Sequence, residues 1–182
     1  GFPRFVRAEG VDDHLVLPYL GLYANNGATV LSASSLFRQS VNSCLLSEGN
    51  SADTDSLYCM TRQLASGGNL DSTIIRDDAT VLLDTTGSGS ASADGTISVR
   101  GFVDTGSNVK LFKNSQQLSS DNYTRSGTVT LNNTIIGGKV SSTNSMFGNF
   151  NLYGLIITKS VLNDGDRRKL EVFLANKAGI VI

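Results

Sequence analysis

Catalysis needs carboxylates, imidazoles or thiols set close together, and this chain holds few of them. Its glutamates are Glu9, Glu48 and Glu171, its one histidine is His14, and its two cysteines are Cys44 and Cys59. Glycoside cleavage needs two carboxyl groups facing each other about 5 to 10 Å apart across the scissile bond. None of the glutamates has an aspartate two residues on, and aspartates borne on turns make poor partners. Asp12 and Asp13 precede His14 and suggest a His–Asp base, but no serine or cysteine motif completes a nucleophile. His14 is therefore expected to begin a strand after a turn. A calcium ion needs several oxygens on a shaped loop, whereas adjacent carboxylates alternate sides on a strand, so Asp12 and Asp13 are expected to brace that turn. "NDGD", with Asp164 and Asp166, is accounted for by helix capping. No catalytic residue, metal or cofactor is assigned.

The cysteines lie in "SVNSCLLSEGNSADTDSLYCMTR". A hairpin turning between Ser51 and Ala52 sets Cys44 opposite Cys59 and Leu46 opposite Leu57, close enough for a bridge. Both are expected to remain free thiols, buried as small hydrophobes, because cysteines are few and no secretion signal is seen.

Binding has better candidates. With Cys44, Leu46, Leu57 and Cys59 pointing inward, the other face of that hairpin shows Tyr58, Met60 and Arg62. In a later pair of strands Ile97, Val99, Val109 and Leu111 point one way, and Arg100, Phe102 and Phe112 the other. Aromatic rings mixed with arginines suit stacking on sugars and hydrogen bonding to hydroxyls or carboxylates. Tyr58, Arg62, Arg100, Phe102 and Phe112 are the candidate carbohydrate-binding residues. The competing expectation is that a loop or the terminal helix covers these aromatics.

Those side chains require strands, and the sequence supplies them. Runs with a period of two recur: "RFVRAE", "HLVLP", "ATVLSASSL", "SCLLSE", "SLYCMTR", "STIIRD", "TVLLDT", "TISVRGFVD", "NVKLFKN", "GTVTLN", "TIIGGK" and "LYGLIITKS". Gly, Ser, Asn and Asp punctuate them as turns. The pattern predicts two packed antiparallel sheets. One amphipathic helix follows near 164–177. Asn163 is its N-cap, Asp164 and Asp166 favour the first turn, Lys177 the last, and Gly179 stands just past the end. Leu170, Phe173, Leu174 and Ala178 form an apolar stripe expected to lie against a sheet.

A chain of 182 residues with 40% hydrophobic content suits one domain spanning 1–182. A formal charge of −1 provides no basic field for nucleic acid or an anionic membrane, and no apolar run is long enough to span a bilayer. "GFPRFVRAEG" lacks both an initiator methionine and a signal peptide's apolar stretch, so a processed product or an excised piece of a longer polypeptide is expected.

The ending "NLYGLIITKSVLNDGDRRKLEVFLANKAGI" resembles that of concanavalin A-like domains of the laminin-G-like jelly-roll type, where a strand leads into a short helix ending "Y-L-A-x-K-x-G-I". "EGVDDHLVLP" resembles the opening of that family, "TISVRGFVDTGSNVKLFKNSQQL" its paired strands around "h-x-h-Y-x-N-G", and "TIIGGK" its "L-x-I-G-G". The matches occur in order along nearly the whole chain. Gly154 stands where the family has an acidic residue, Ser115 replaces the glycine after Asn114, and there is no tryptophan. Some relatives are glycosidases with "E-x-D-x-x-E", which this chain lacks. The resemblance implies an all-β, two-sheet antiparallel jelly-roll sandwich with one C-terminal helix. It further implies a non-catalytic module that binds cell-surface glycan. The compact Ser/Thr/Asn/Gly-rich style resembles domains of bacteriophage virions, which implies a tail-fibre or similar setting on the particle surface, other virion subunits as partners, and room for a homo-oligomer. The rival readings are a structural decoration or assembly domain, and a glycan-cleaving enzyme.

Overall fold

Every residue of β3 (Ala28–Leu36) is buried, which a strand achieves only when both of its faces are covered. The sequence "ATVLSASSL" suits this position: Val30 and Leu31 fill space on opposite sides, and small residues allow close approach. The computed structural model describes residues 4–37, 43–50, 57–65, 68–77, 80–86, 93, 95–124, 130–139 and 147–182, with 43, 57–65, 68–77 and 80–86 described as backbone only.

One six-stranded antiparallel sheet contains β3 in the order β1 (Val6–Glu9), β12 (Asn149–Thr158), β3, β8 (Ile97–Asp104), β9 (Asn108–Lys113), β10 (Gln116–Asn122). The second runs β2 (Leu15–Pro18), β11 (Asn133–Ile136), β4 (Ser43–Gly49), β5 (Leu57–Ala65), β6 (Gly68–Asp77), β7 (Thr80–Thr86). Between the sheets lie Val30, Leu36, Leu46, Phe102, Val109, Leu111 and Phe150. On the outer side of the first sheet, Leu31, Ala33 and Val99 meet Leu174, Ala175 and Ala178 of α1 (Asp164–Ala178). The two-sheet sandwich and the terminal helix are thus as expected, whereas of the expected strand "GTVTLN" residues 130–132 are not in a strand and 127–129 lie outside the described residues.

The helix carries its expected caps. Asn163 accepts from the Asp166 N–H, and Gly179 takes the left-handed conformation beyond the last turn. Its buried face differs from the expected stripe. Arg167, Glu171, Leu174, Ala175 and Ala178 face the sheet, while Phe173 is 50% exposed beneath Lys177. The turn between β9 and β10 explains the rotation. Asn114 and Ser115 both have positive φ, 48° and 66°, and this tight turn lifts the Ser115 hydroxyl to Glu171 Oε2 at 2.7 Å. Arg167 donates to Glu171 Oε1 at 2.7 Å and lies over the Phe112 ring at 3.7 Å. Leu174 and Ala178 of the expected stripe are buried and Leu170 packs against their cluster, while Phe173 turns outward and a charged latch extends the buried face. Gly154 belongs to the same seat, because a Cβ there would stand 2.7 Å from Leu174 Cδ2.

The pairing also revises two expected faces. Phe102 pairs with Leu111 and Gly101 with Phe112, so Phe102, Val109 and Leu111 share the inter-sheet face while Val99 and Phe112 lie under the helix. A change of one residue in register moves every side chain to the other face. In the second sheet Cys44 pairs with Thr61, Leu46 with Met60 and Ser47 with Cys59, with a bulge between Cys44 and Leu46. Cys44 is disulfide-bonded, which overturns the expectation of free thiols. The chain's one other cysteine is Cys59, whose side chain lies outside the described residues. The expected register does not hold: Cys44 faces Thr61 and Cys59 faces Ser47, so the two cysteines are offset along neighbouring strands rather than directly opposed.

Candidate functional site

Of the five residues proposed from the sequence, the three whose side chains are described are buried. Arg100 is 5% exposed, Phe102 1% and Phe112 4%. Arg100 and Phe102 alternate on the inner face of β8, and Phe112 lies beneath Arg167 of the helix. The reason is that both faces of the first sheet are covered where these residues lie. Tyr58 and Arg62 stand opposite Glu48 and Ser43 in the ladder, and their side chains lie outside the described residues. Tyr123 is buried with its hydroxyl donating to Asp104 Oδ1 at 2.7 Å, and the Asn25 amide donates to the carbonyls of Gly27 and Lys159.

Aromatic rings and an arginine do meet in the open elsewhere, at the edge where β1 pairs with β12. Ala8 is buried and pairs with Phe150, so the alternation of a strand turns Arg7 and its ladder partner Asn151 outward. Phe5 lies two residues before Arg7 and shares that side. A bulge between Leu152 and Gly154 inserts Tyr153, which packs beside Ile180 and Ile182 after the helix. The rings of Phe5 and Tyr153 are 5.5 Å apart and tilted by 58°. Phe37, just past β3, donates its N–H to the Asn149 carbonyl at 2.9 Å. Behind its ring stands Gly95, at φ 74°, where a Cβ would come within 3.2 Å of the Phe37 side chain. The Arg7 guanidinium lies 4.3 Å above the Phe37 ring and donates to Asn151 Oδ1 at 3.1 Å.

The arrangement is a shallow, partly exposed platform of Phe5, Arg7, Phe37, Asn151 and Tyr153. Phe5 and Tyr153 offer ring surface for the C–H side of a sugar, and Arg7 and Asn151 retain N–H groups for hydroxyls or a carboxylate. Sequence reasoning missed it, although alternation in "FVR" and "NLY" carries the signal: each run puts a ring and a polar group on one side. Across β1, the strand's inner residues Val6 and Ala8 wall a second feature with Leu15, Ile136, Phe150 and Leu152, an apolar cavity of about 330 Å³ also lined by Asp13 and His14.

The residues first weighed for catalysis have structural partners. Asp13 accepts the Glu9 N–H at 2.9 Å and so braces the turn, and His14 Nδ1 donates to the Asp12 carbonyl at 2.6 Å. Glu48 is buried, accepting from the Tyr23 N–H at 2.8 Å and the Thr134 hydroxyl at 3.2 Å. Burial pushes its carboxyl above the ordinary range, although these hydrogen bonds pull the other way. Among the described residues no group of three or more potential ligands is placed to hold a metal.

Neither a protein-family model nor a curated protein matches the sequence. Solved structures do. The IT-sialidase CBM40 of Ruminococcus gnavus, bound to α2,3-sialyllactose, is similar with a TM-score of 0.72 and 13% identity, over 94% of this chain and 99% of that one. The native heptameric SAP-like pentraxin of Limulus polyphemus gives a TM-score of 0.67 at 14% identity, over 92% of this chain and 80% of that one. The leech intramolecular trans-sialidase gives 0.70 at 12% identity, and there the whole of this chain corresponds to 28% of the enzyme. At these identities the likeness speaks for fold alone, and the chain has a two-sheet antiparallel jelly-roll sandwich like that of the CBM40.

Proposed function

We propose that this protein is a non-catalytic recognition module that binds cell-surface glycan through the platform of Phe5, Arg7, Phe37, Asn151 and Tyr153. The observation that carries this reading is the platform itself, where partly exposed rings and a positioned guanidinium share one face. The structural likeness to a module bound to sialyllactose supports it. The buried, internally bonded state of Glu48 and Glu171 argues against a pair of carboxylates working on a bound sugar. A disulfide at Cys44 suits an oxidising setting outside the cytoplasm. The surface of a virion, expected from the sequence, is retained as part of the proposal.

A glycan array probed with the 182-residue chain tests the reading, with Tyr153→Ala and Phe5→Ala as controls. Binding that is weakened by either substitution supports the platform; binding to no glycan sinks it. Contact with another protein subunit is a second reading. It is favoured by the exposure of Val6, Val11, Leu15 and Val16 on or beside the edge strands β1 and β2, and a concentration-dependent mass in light scattering is its signature.

A further inference from the structure

We infer that the platform selects glycans ending in a carboxylate-bearing sugar, and that Arg7 is the residue that makes the selection. The inference rests on the glycan-binding reading and extends it to ligand charge. Arginine is usually brought to a fixed position by a carboxylate, which also spends its charge. Arg167 shows this in the same molecule, bonded to Glu171 at 2.7 Å and to Asp164 at 3.5 Å. Arg7 is positioned otherwise. A neutral amide, Asn151 Oδ1, and a neutral ring, Phe37, hold it in place, and among the described residues it has no ion pair. Glu9 is the nearest acid on its own strand and pairs with Asn149 rather than with Asn151.

The guanidinium therefore keeps its full charge in an exposed place while its orientation is already set. A guanidinium in that condition matches the two oxygens of a carboxylate through parallel N–H groups. A neutral sugar would receive the same N–H groups as weaker hydrogen bonds. Stacking by Phe5 and Tyr153 is indifferent to ligand charge and supplies the shared part of the affinity. The selecting and the retaining contacts thus lie on different residues, which makes them separable by substitution.

The test is calorimetric titration of the full chain with lactose, α2,3-sialyllactose, α2,6-sialyllactose and a glucuronate-terminated disaccharide. The sialylated and uronic ligands distinguish the two natural sources of a terminal carboxylate. The acidic ligands are expected to bind about tenfold more tightly than lactose, the usual margin of a charge-assisted hydrogen bond. Raising salt from about 0.05 to about 0.5 M should shrink that margin. Arg7→Gln should abolish it, weakening the acidic ligands more than lactose and leaving the melting temperature close to wild type, and Arg7→Lys should restore only part of it. Equal affinity for lactose and the acidic ligands overturns the selection and leaves the platform standing. Loss of binding to every ligand in Phe5→Ala, with a margin that survives Arg7→Gln, also overturns it. An absence of binding to all four ligands overturns both.

Discussion

Arg167 lies 3.7 Å above the ring of Phe112, and Arg7 lies 4.3 Å above the ring of Phe37. Both stacks are on the outer side of the same sheet. The first is sealed under the helix: Arg167 is 2% exposed, and Glu171, which bonds it, is fully buried. The second is open at the sheet edge and held by an amide. The same two side-chain types thus build a latch in one place and a candidate binding surface in the other. What differs is the counter-charge, since a buried cation must be paired while an exposed one can wait for a ligand. The comparison also accounts for two departures from the resembled family. Gly154 gives Leu174 room on the sheet, and Ser115 supplies the hydroxyl that completes the bonds of Glu171.

The hardest way to break this comparison is to remove the counter-charge from the latch. Glu171→Ala leaves Arg167 buried and unpaired and is expected to cost about 3 to 5 kcal/mol, read by urea denaturation. A loss below about 1 kcal/mol, the range of exposed pairs, would show that the latch is hydrated and the contrast unreal. Next comes Gly154→Ala, whose new methyl meets Leu174. About 1 to 3 kcal/mol of destabilisation is expected from such overpacking, and an unchanged melting temperature would mean that the helix rides free of the strand.

Ser115→Gly sets two opposing terms against each other. Glycine relieves a positive φ that costs a side-chain-bearing residue about 1 kcal/mol, but it removes a hydrogen bond to a charged group worth about 1.5 to 3 kcal/mol. A net loss near 1 kcal/mol is expected, with Ser115→Ala worse than Ser115→Gly because alanine keeps the strain and loses the bond. If glycine stabilises the protein, the hydroxyl contributes less than its geometry suggests.

Glu48 sharpens the comparison as a buried charge that has no cation among its described partners. Burial raises its folded pKa above the ordinary 4.5, so the folded protein binds this proton more tightly than the unfolded chain. The group therefore supports stability below pH 4.5 and loses that contribution as pH rises through the raised value. Relative to Glu48→Gln, wild-type stability should fall as pH rises from 4.5 through the raised value. A difference that stays level across this window would count against the raised pKa. The smallest effect on stability belongs to Arg7→Ala, expected within about 0.5 to 1 kcal/mol as for an exposed cation–π contact. That modest loss is the counterpart of a position free to serve a ligand.

Much of the fold was legible because its signals are local. Helix caps act over three or four residues, so Asn163, Asp164 and Gly179 marked the helix correctly, and alternation marked most strands. β10 was not recognised: "QQLSSDN" is a polar strand at the sheet edge, with too little burial to impose an apolar period. Arg100, Phe102 and Phe112 of the proposed glycan face were visible as a type of chemistry and misplaced in space. Nothing in "TISVRGFVD" says which of its two sides the other sheet will cover and which the helix.

Composition and local patterning by themselves determined a β-rich chain with turn-forming punctuation, a capped C-terminal helix and few groups for catalysis. Only the tertiary structure decided register, bulges and long-range neighbours. It brought Arg7 to Asn151 across 144 residues of sequence, inserted Tyr153 at a bulge and rotated the helix so that a charged latch faced the sheet. Side-chain periodicity alone identifies two faces without naming the partner of either, because burial is a property of what packs against a strand and not of the strand alone.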